Sequence, residues 1–293
     1  MSLRLAITAD LHWGHRTGAA AVGRLAAYLR AEPPDVLVLA GDLGVGPAFD
    51  ECLALFADLP CRKALVPGNH DIWIPAEDAD HDSLELYEQR LPASAARFGF
   101  HYLDQGPLLL PERGPALVGS INWCDYSWSL EELRRRFPEE EHRLHSKRFT
   151  RGRHNDANFV RWPIDDVQFT ARVVAKLERD LHAARKAADQ AIVITHHPPF
   201  HGLSFPRPDD LPPPLDWLLW EGFCGNRALE DVLKRNGEFV PFAFCGHTHR
   251  ARESTLGPIR GYNVGGDYSM KRLLALDWPT GTVTAHEFAD EEG

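Results

Sequence analysis

The stretch "LRLAITADLH", residues 3–12, is an apolar β-like run that stops at two side chains able to hold a metal, Asp10 and His12. The same event recurs along the chain. "DVLVLAGD" (35–42) ends on Asp42, and "KALVPGNHD" (63–71) ends on Asn69, His70 and Asp71. "AIVITHH" (191–197) ends on His196 and His197, and "FAFCGHTH" (242–249) on His247 and His249. Between the first three runs lie helix-like segments, "GAAAVGRLAAYLRAE" (18–32) and "PAFDECLALFADL" (47–59), so the chain opens as a βαβαβ pattern and the fold class is α/β.

The pattern resumes with a helix in "IDDVQFTARVVAKLERDLHAARKAA" (164–188) and another near "NRALEDVLKRN" (226–236). Two β segments close the chain, near "RGYNVGG" (260–266) and in "RLLALDWPTGTVTAHEF" (272–288), the second broken by a Pro-Thr-Gly turn. From about 72 to 163 the text changes character: a helix in "DSLELYEQRLP", strands near "FHYLD" and "PALVGSINW", then a tract rich in both charge signs. We therefore expect one domain, 1–293, with an insertion or cap-like region at about 72–163 covering the mouth of the site. Charge runs are ordinarily solvated surface, and the sharper reading of this tract (131–162) is a mobile lid whose Arg151, Arg153 or His154 meets an anionic substrate. The proline-rich "FPRPDDLPPPLDW" (205–217) reads as a rigid extended loop of the kind that rims a pocket.

Composition excludes several classes. No run of eighteen apolar residues offers a membrane span, and the N-terminus lacks the build of a secretory signal, so cytoplasmic residence is expected. The five cysteines form no CxxC pair, which argues for reduced, mostly buried thiols. A formal charge of -10 disfavours long nucleic acid as a partner without forbidding it, because metal cations offset carboxylates locally.

In open α/β sheets, ligands bind beyond the carboxyl ends of the strands, so the strand-end residues converge. Each alone has a bland explanation, as a turn former or a satisfied core histidine. Packed together, unpaired carboxylates and imidazoles would carry a heavy desolvation and repulsion cost unless cations compensate it. The oxygen and imidazole donors, without sulfur, suit manganese first, with iron or zinc as alternatives. Seven candidates, Asp10, His12, Asp42, Asn69, His196, His247 and His249, exceed what one ion needs. An i, i+2 spacing on an extended chain would aim Asp10 with His12, and His247 with His249, to one side.

Taken in order, "DLH", "GD", "GNHD", "THHPP" and "GHTH", spanning residues 10–249, resemble the calcineurin-like binuclear metallophosphoesterases. The resemblance implies a four-layer αββα sandwich of two mixed β-sheets flanked by helices, rather than a single doubly wound sheet, and the late β segments suit the second sheet. It implies that Asp10, His12, Asp42 and His249 hold one metal and Asp42, Asn69, His196 and His247 the other, with Asp42 bridging. It implies His196 rather than His197 as ligand, and attack on phosphorus by a hydroxide between the metals. His70 would act near the leaving group with Asp71 orienting its ring, or the two would only brace their loop. His15 and His201 stay outside the site. The function expected is a phosphoesterase acting on phosphodiesters or small phosphomonoesters; the alternatives are a nuclease or protein phosphatase of the same fold, and a non-catalytic scaffold is disfavoured because no ligand is missing. Oligomeric state is not legible.

Overall fold

The computed structural model describes residues 2–75, 82–111, 114–207 and 212–290. Twelve strands occur among them: β1 Leu3–Thr8, β2 Val36–Ala40, β3 Arg62–Val66, β4 Phe100–Tyr102, β5 Leu108–Leu109, β6 Ala116–Ser120, β7 Ala191–Thr195, β8 Phe242–Cys245, β9 Arg252–Leu256, β10 Ile259–Asn263, β11 Met270–Trp278 and β12 Thr282–Ala289. They form two six-stranded mixed sheets, ordered β12-β11-β1-β2-β3-β4 and β5-β6-β7-β8-β10-β9.

Period-2 alternation explains the layering. Leu5, Ile7, Val36 and Val38 of the first sheet face Ile192, Ile194, Phe242 and Phe244 of the second and build the inter-sheet core. The alternate residues point outward. Leu37, Leu39 and Leu65 meet Val22, Leu25 and Leu29 of helix Ala19–Ala31 and Phe49 and Leu53 of helix Pro47–Ala54. Val118, Val193 and Ala243 meet helices Asp166–Ala184 and Arg227–Arg235. The result is the expected αββα sandwich. All five cysteines are free and four are buried.

Three sequence expectations change. The closing hairpin β11–β12 belongs to the first sheet, not the second: β11 runs antiparallel to β1 from Leu3↔Trp278 to Thr8↔Leu273, which sends Leu274 and Leu276 into the inter-sheet core. Only β9 and β10 among the late strands join the second sheet. Within 72–163, β4 pairs with β3, β5 with β6 and β6 with β7, so its three strands are integral to the sheets, and residues 122–165 lie outside them. The proline-rich loop ends in a helix, Leu215–Cys224, that begins directly after Pro214; its residues 208–211 lie outside those described. That helix is apolar on most sides because it packs between the charged tract and the core, so its sequence lacks the amphipathic period that marks a surface helix.

The charged tract itself is anchored rather than merely solvated. Lys147 is buried and its Nζ lies 2.8 Å from Asp166 Oδ1, which also accepts from Trp123 Nε1 at 2.7 Å. The Tyr126 hydroxyl donates to the other oxygen of the same carboxylate.

Candidate metal centre

β1, β2 and β3 are parallel neighbours, as are β7 and β8, so their carboxyl ends lie at one end of the sandwich. All seven expected ligands follow these ends, and the structure brings them together. The i, i+2 pairs do not converge by strand alternation, however, because β1 stops at Thr8 and β8 at Cys245. Asp10, His12, Asp42, His247 and His249 take φ of 55°, 45°, 55°, 73° and 56°. Positive φ is uncommon outside glycine and clusters at functional sites. Among the described residues eight non-glycine positions show it, and five are these.

The glycines of the motifs make room. A Cβ at Gly68 would stand 2.1 Å from Asp42 Oδ1, and one at Gly41 would stand 2.4 Å from His196 Nδ1. "GD" and "GNHD" therefore require glycine beside the ligand as well as the ligand itself.

The donors form two groups that share one carboxylate. In the first, the ligating atoms of Asp10, His12, Asp42 and His249 all lie within 4.8 Å of one another. His12 Nε2 is 2.9 Å from His249 Nε2 and 3.7 Å from Asp42 Oδ2, and His249 Nε2 is 3.6 Å from Asp10 Oδ1. In the second, Asn69 Oδ1 lies 3.1 Å from His196 Nε2 and 3.2 Å from His247 Nδ1, and His196 Nε2 lies 3.3 Å from Asp42 Oδ1. Asp42 thus turns Oδ2 to one group and Oδ1 to the other. Donors about 2.1 Å from a shared ion sit about 3.0–3.5 Å apart, the spacing of the second group, while the first is somewhat more open.

Their protonation fits a cation. His196 Nδ1 faces the Ala40 carbonyl at 3.0 Å and must donate to it, which leaves Nε2 for the Asp42 and Asn69 oxygens. Without a metal a second proton fills that gap: burial would lower His196, yet the Asp42 carboxylate raises it to about 9. Burial pushes Asp10 up, while His196 and His70 overcome burial to hold Asp42 well below the usual carboxylate range. Burial also lowers His12 to about 2 and holds His247 well below its usual value, keeping both imidazoles neutral, as metal ligation requires.

His197 is fully buried but its ring packs on His247 at 3.9 Å and on Trp123 at 4.8 Å, so His196 is the one of the pair that faces the donors. His70 stacks on Trp73 at 3.6 Å with Nε2 3.8 Å from Asp42 Oδ2. The expectation that Asp71 orients His70 is corrected. The Asp71 carboxylate is taken by three backbone N–H groups, those of Leu43 (2.7 Å), Gly44 (2.9 Å) and Gly68 (2.7 Å), and so clamps two ligand loops together. Trp73 orients the ring instead. His15 lines a neighbouring cavity, 4.3 Å from the Tyr268 ring, whereas His201 bonds Glu221 away from the centre.

Two residues escaped the sequence reading. Tyr268 packs on His12 at 4.6 Å and His249 at 5.1 Å, and nothing in "GGDYS" marks it. Asp156 is buried in the charged tract, where its Oδ1 accepts from Asn69 Nδ2 and from Trp73 Nε1, each at 2.8 Å. That bond fixes the Asn69 amide with Oδ1 toward His196 and His247. We expect Asp156→Ala to weaken metal binding at the second group by about 10–100-fold, since outer residues that orient ligands carry that much. Competition with a fluorescent chelator measures it, and unaltered affinity would remove the link. Of the three tract residues expected at the site, Arg153 and His154 line the cavity above it and Arg151 does not.

The chain matches the calcineurin-like phosphoesterase family over residues 3–251 and belongs to it. It is a phosphoesterase of that family, whose members use a binuclear metal centre, and the Asp10–His12–Asp42–His249 cluster is a candidate for holding metal. In fold it is similar to phosphopantetheinyl hydrolase from Mycobacterium tuberculosis, with a TM-score of 0.70 and 21% identity over 90% of this chain and 89% of that one. It is also similar to a dimetal phosphatase from Danio rerio, with a TM-score of 0.59 and 15% identity over 99% of each chain. No curated protein matches its sequence. No helix among the described residues is long and apolar enough to cross a membrane.

Proposed function

We propose that this chain hydrolyses phosphate esters, phosphodiesters or small phosphomonoesters, at a pair of divalent metal ions, manganese in the first instance with iron or zinc as alternatives. Asp10, His12, Asp42 and His249 would hold one ion, and Asp42, Asn69, His196 and His247 the other. The reading is carried by Asp42, whose two oxygens address two separate donor groups. Bound there, the metals would supply Lewis acidity toward the phosphoryl oxygens and a water acidified toward neutrality.

The remaining steps belong to the chain. Asp71 holds the "GD" and "GNHD" loops in register through its three backbone bonds. His70, which lines the cavity, would hand a proton to the departing oxygen. Trp73 and Tyr268 wall the centre from bulk water. Residues 122–165 act as a cap on a single domain and lend Asp156 and Arg153 to its edge.

Metal-stripped protein reloaded with manganese is expected to bind two ions by elemental analysis and to hydrolyse p-nitrophenyl phosphate or its bis ester, with activity lost again to chelator. Failure on both esters by protein carrying two ions would end this reading. A phosphopantetheinyl compound joins the substrate panel because of the Mycobacterium tuberculosis neighbour. Nuclease activity is the second reading, favoured by Arg153 beside Trp220 and Phe149 at the rim. It requires catalytic efficiency on oligonucleotides to fall with salt while that on the chromogenic ester does not.

A further inference from the structure

Among the described residues two cavities open on the centre. The first, about 400 Å³, lies over Asn69, His247 and His249; the second, about 390 Å³, lies beside His12. They share His70, Trp73, Asn155 and Tyr268, so these residues form a divide directly above the donor groups. A phosphomonoester has one substituent and needs one cavity. Two cavities of nearly equal size meeting at the reaction centre match a phosphorus that carries two.

The cavities also differ in chemistry. In the first, Trp220 is 41% exposed and its ring packs on Phe149 at 4.8 Å and Phe205 at 5.9 Å, which gives a ring-sized apolar wall. With His154 also beside it at 5.4 Å, the exposed part of Trp220 offers aromatic surface for stacking next to the centre. Arg153 lines the same cavity, and among the described residues no carboxylate pairs with it. Among the described residues the second cavity has no Lys or Arg in its lining; it is bounded by Trp13, His15, Val45 and Ala48.

We propose that the substrate is a phosphodiester that spans the divide, with a planar aryl or nucleoside-like arm stacked on the Trp220 wall beside Arg153 and a second arm in the cavity of Trp13 and His15. This rests on the metal-centre reading above. One water is consumed: its oxygen bonds to phosphorus as one ester P–O bond breaks. The departing oxygen leaves with a proton as an alcohol, and the other arm stays on a phosphomonoester, with the second proton of water passing to solvent.

Manganese-loaded full-length protein is compared on bis(p-nitrophenyl) phosphate, methyl p-nitrophenyl phosphate and p-nitrophenyl phosphate. The wild type is expected to prefer the bis ester over the monoester by about tenfold or more in kcat/KM. Val45→Trp fills the second cavity from an edge loop and is expected to lower that diester-to-monoester ratio by about tenfold; Ala48→Phe does the same from the neighbouring helix, and thermal unfolding shows that each variant is folded. Trp220→Ala is expected to raise KM for the bis ester about five- to tenfold, the worth of one aromatic stack, with kcat little altered. A monoester preference in the wild type, or equal losses on diester and monoester in both filling variants, would overturn the proposal while leaving the phosphoesterase reading intact. Inactivity on all three esters by protein holding two ions would instead overturn that underlying reading.

Discussion

Asp42→Asn is expected to cost about 10³-fold or more in kcat/KM on an activated phosphoester and to reduce bound metal from about two ions to one or fewer. The substitution keeps shape and changes charge, so the loss reports electrostatics rather than packing. An amide presents one oxygen and one N–H pair. Whichever way it settles, donor hydrogens point either at His196 Nε2 and the His70 N–H, which now meet Oδ1 at 3.3 and 2.9 Å, or at His12 Nε2, which now meets Oδ2 at 3.7 Å. One donor group therefore loses its shared oxygen outright, and both lose the anionic charge that Asp42 supplies, which is the only one in the second group. The carboxylate that raises His196 to about 9 is also gone, so in the metal-free variant that imidazole loses its reason to hold a second proton. Elemental analysis after dialysis and steady-state kinetics are read together. A variant that retains two ions and stays within about tenfold of wild-type activity would show that Asp42 does not bridge.

How much of this could be read from letters depends on what each residue contacts. The expected ligands could be picked out because they obey a local rule: each follows the end of a short apolar run, and β1, β2, β3, β7 and β8 are central strands whose pattern is strong. Two packed sheets in place of one followed from the ordered motifs, not from periodicity, since nothing in the alternation of "AIVIT" says which sheet it joins. The β11–β12 hairpin was misplaced for the same reason: its partner β1 lies about 270 residues away in sequence, and register with Leu3–Thr8 is a tertiary fact. Asp71 was misread because an acid after a histidine suggests a charged pair, while its carboxylate is satisfied by backbone N–H groups of two loops. Asp156 was hidden among exposed charges, where a buried carboxylate looks like any other. The left-handed turns at Asp10, His12, Asp42, His247 and His249 left little trace: only Asp42 and His247 follow a glycine directly, and a Cβ at Gly41, Gly68 or Gly246 would collide with His196, Asp42 or Asp10.

His70→Ala should separate a residue that moves a proton from one that braces a loop. The ring is held face to face on Trp73 at 3.6 Å, is only partly exposed and borders both cavities. It does not share a carboxylate with Asp71, and its nearest acid is Asp42 Oδ2 at 3.8 Å. Removing the ring therefore leaves the Asp71 clamp and all seven expected metal donors in place. The variant is expected to keep two ions and to lose about 10²–10³-fold in kcat on a diester with an alkyl leaving group. On a p-nitrophenyl ester the loss should shrink to about tenfold, because p-nitrophenolate departs without needing a proton. A bracing role would give the same small loss whatever the leaving group, and would lower metal content or thermal stability instead. The dependence of the defect on leaving-group pKa, measured over a series of aryl and alkyl diesters, therefore decides between them: a flat dependence assigns His70 to the loop, and a steep one places its proton on the departing oxygen.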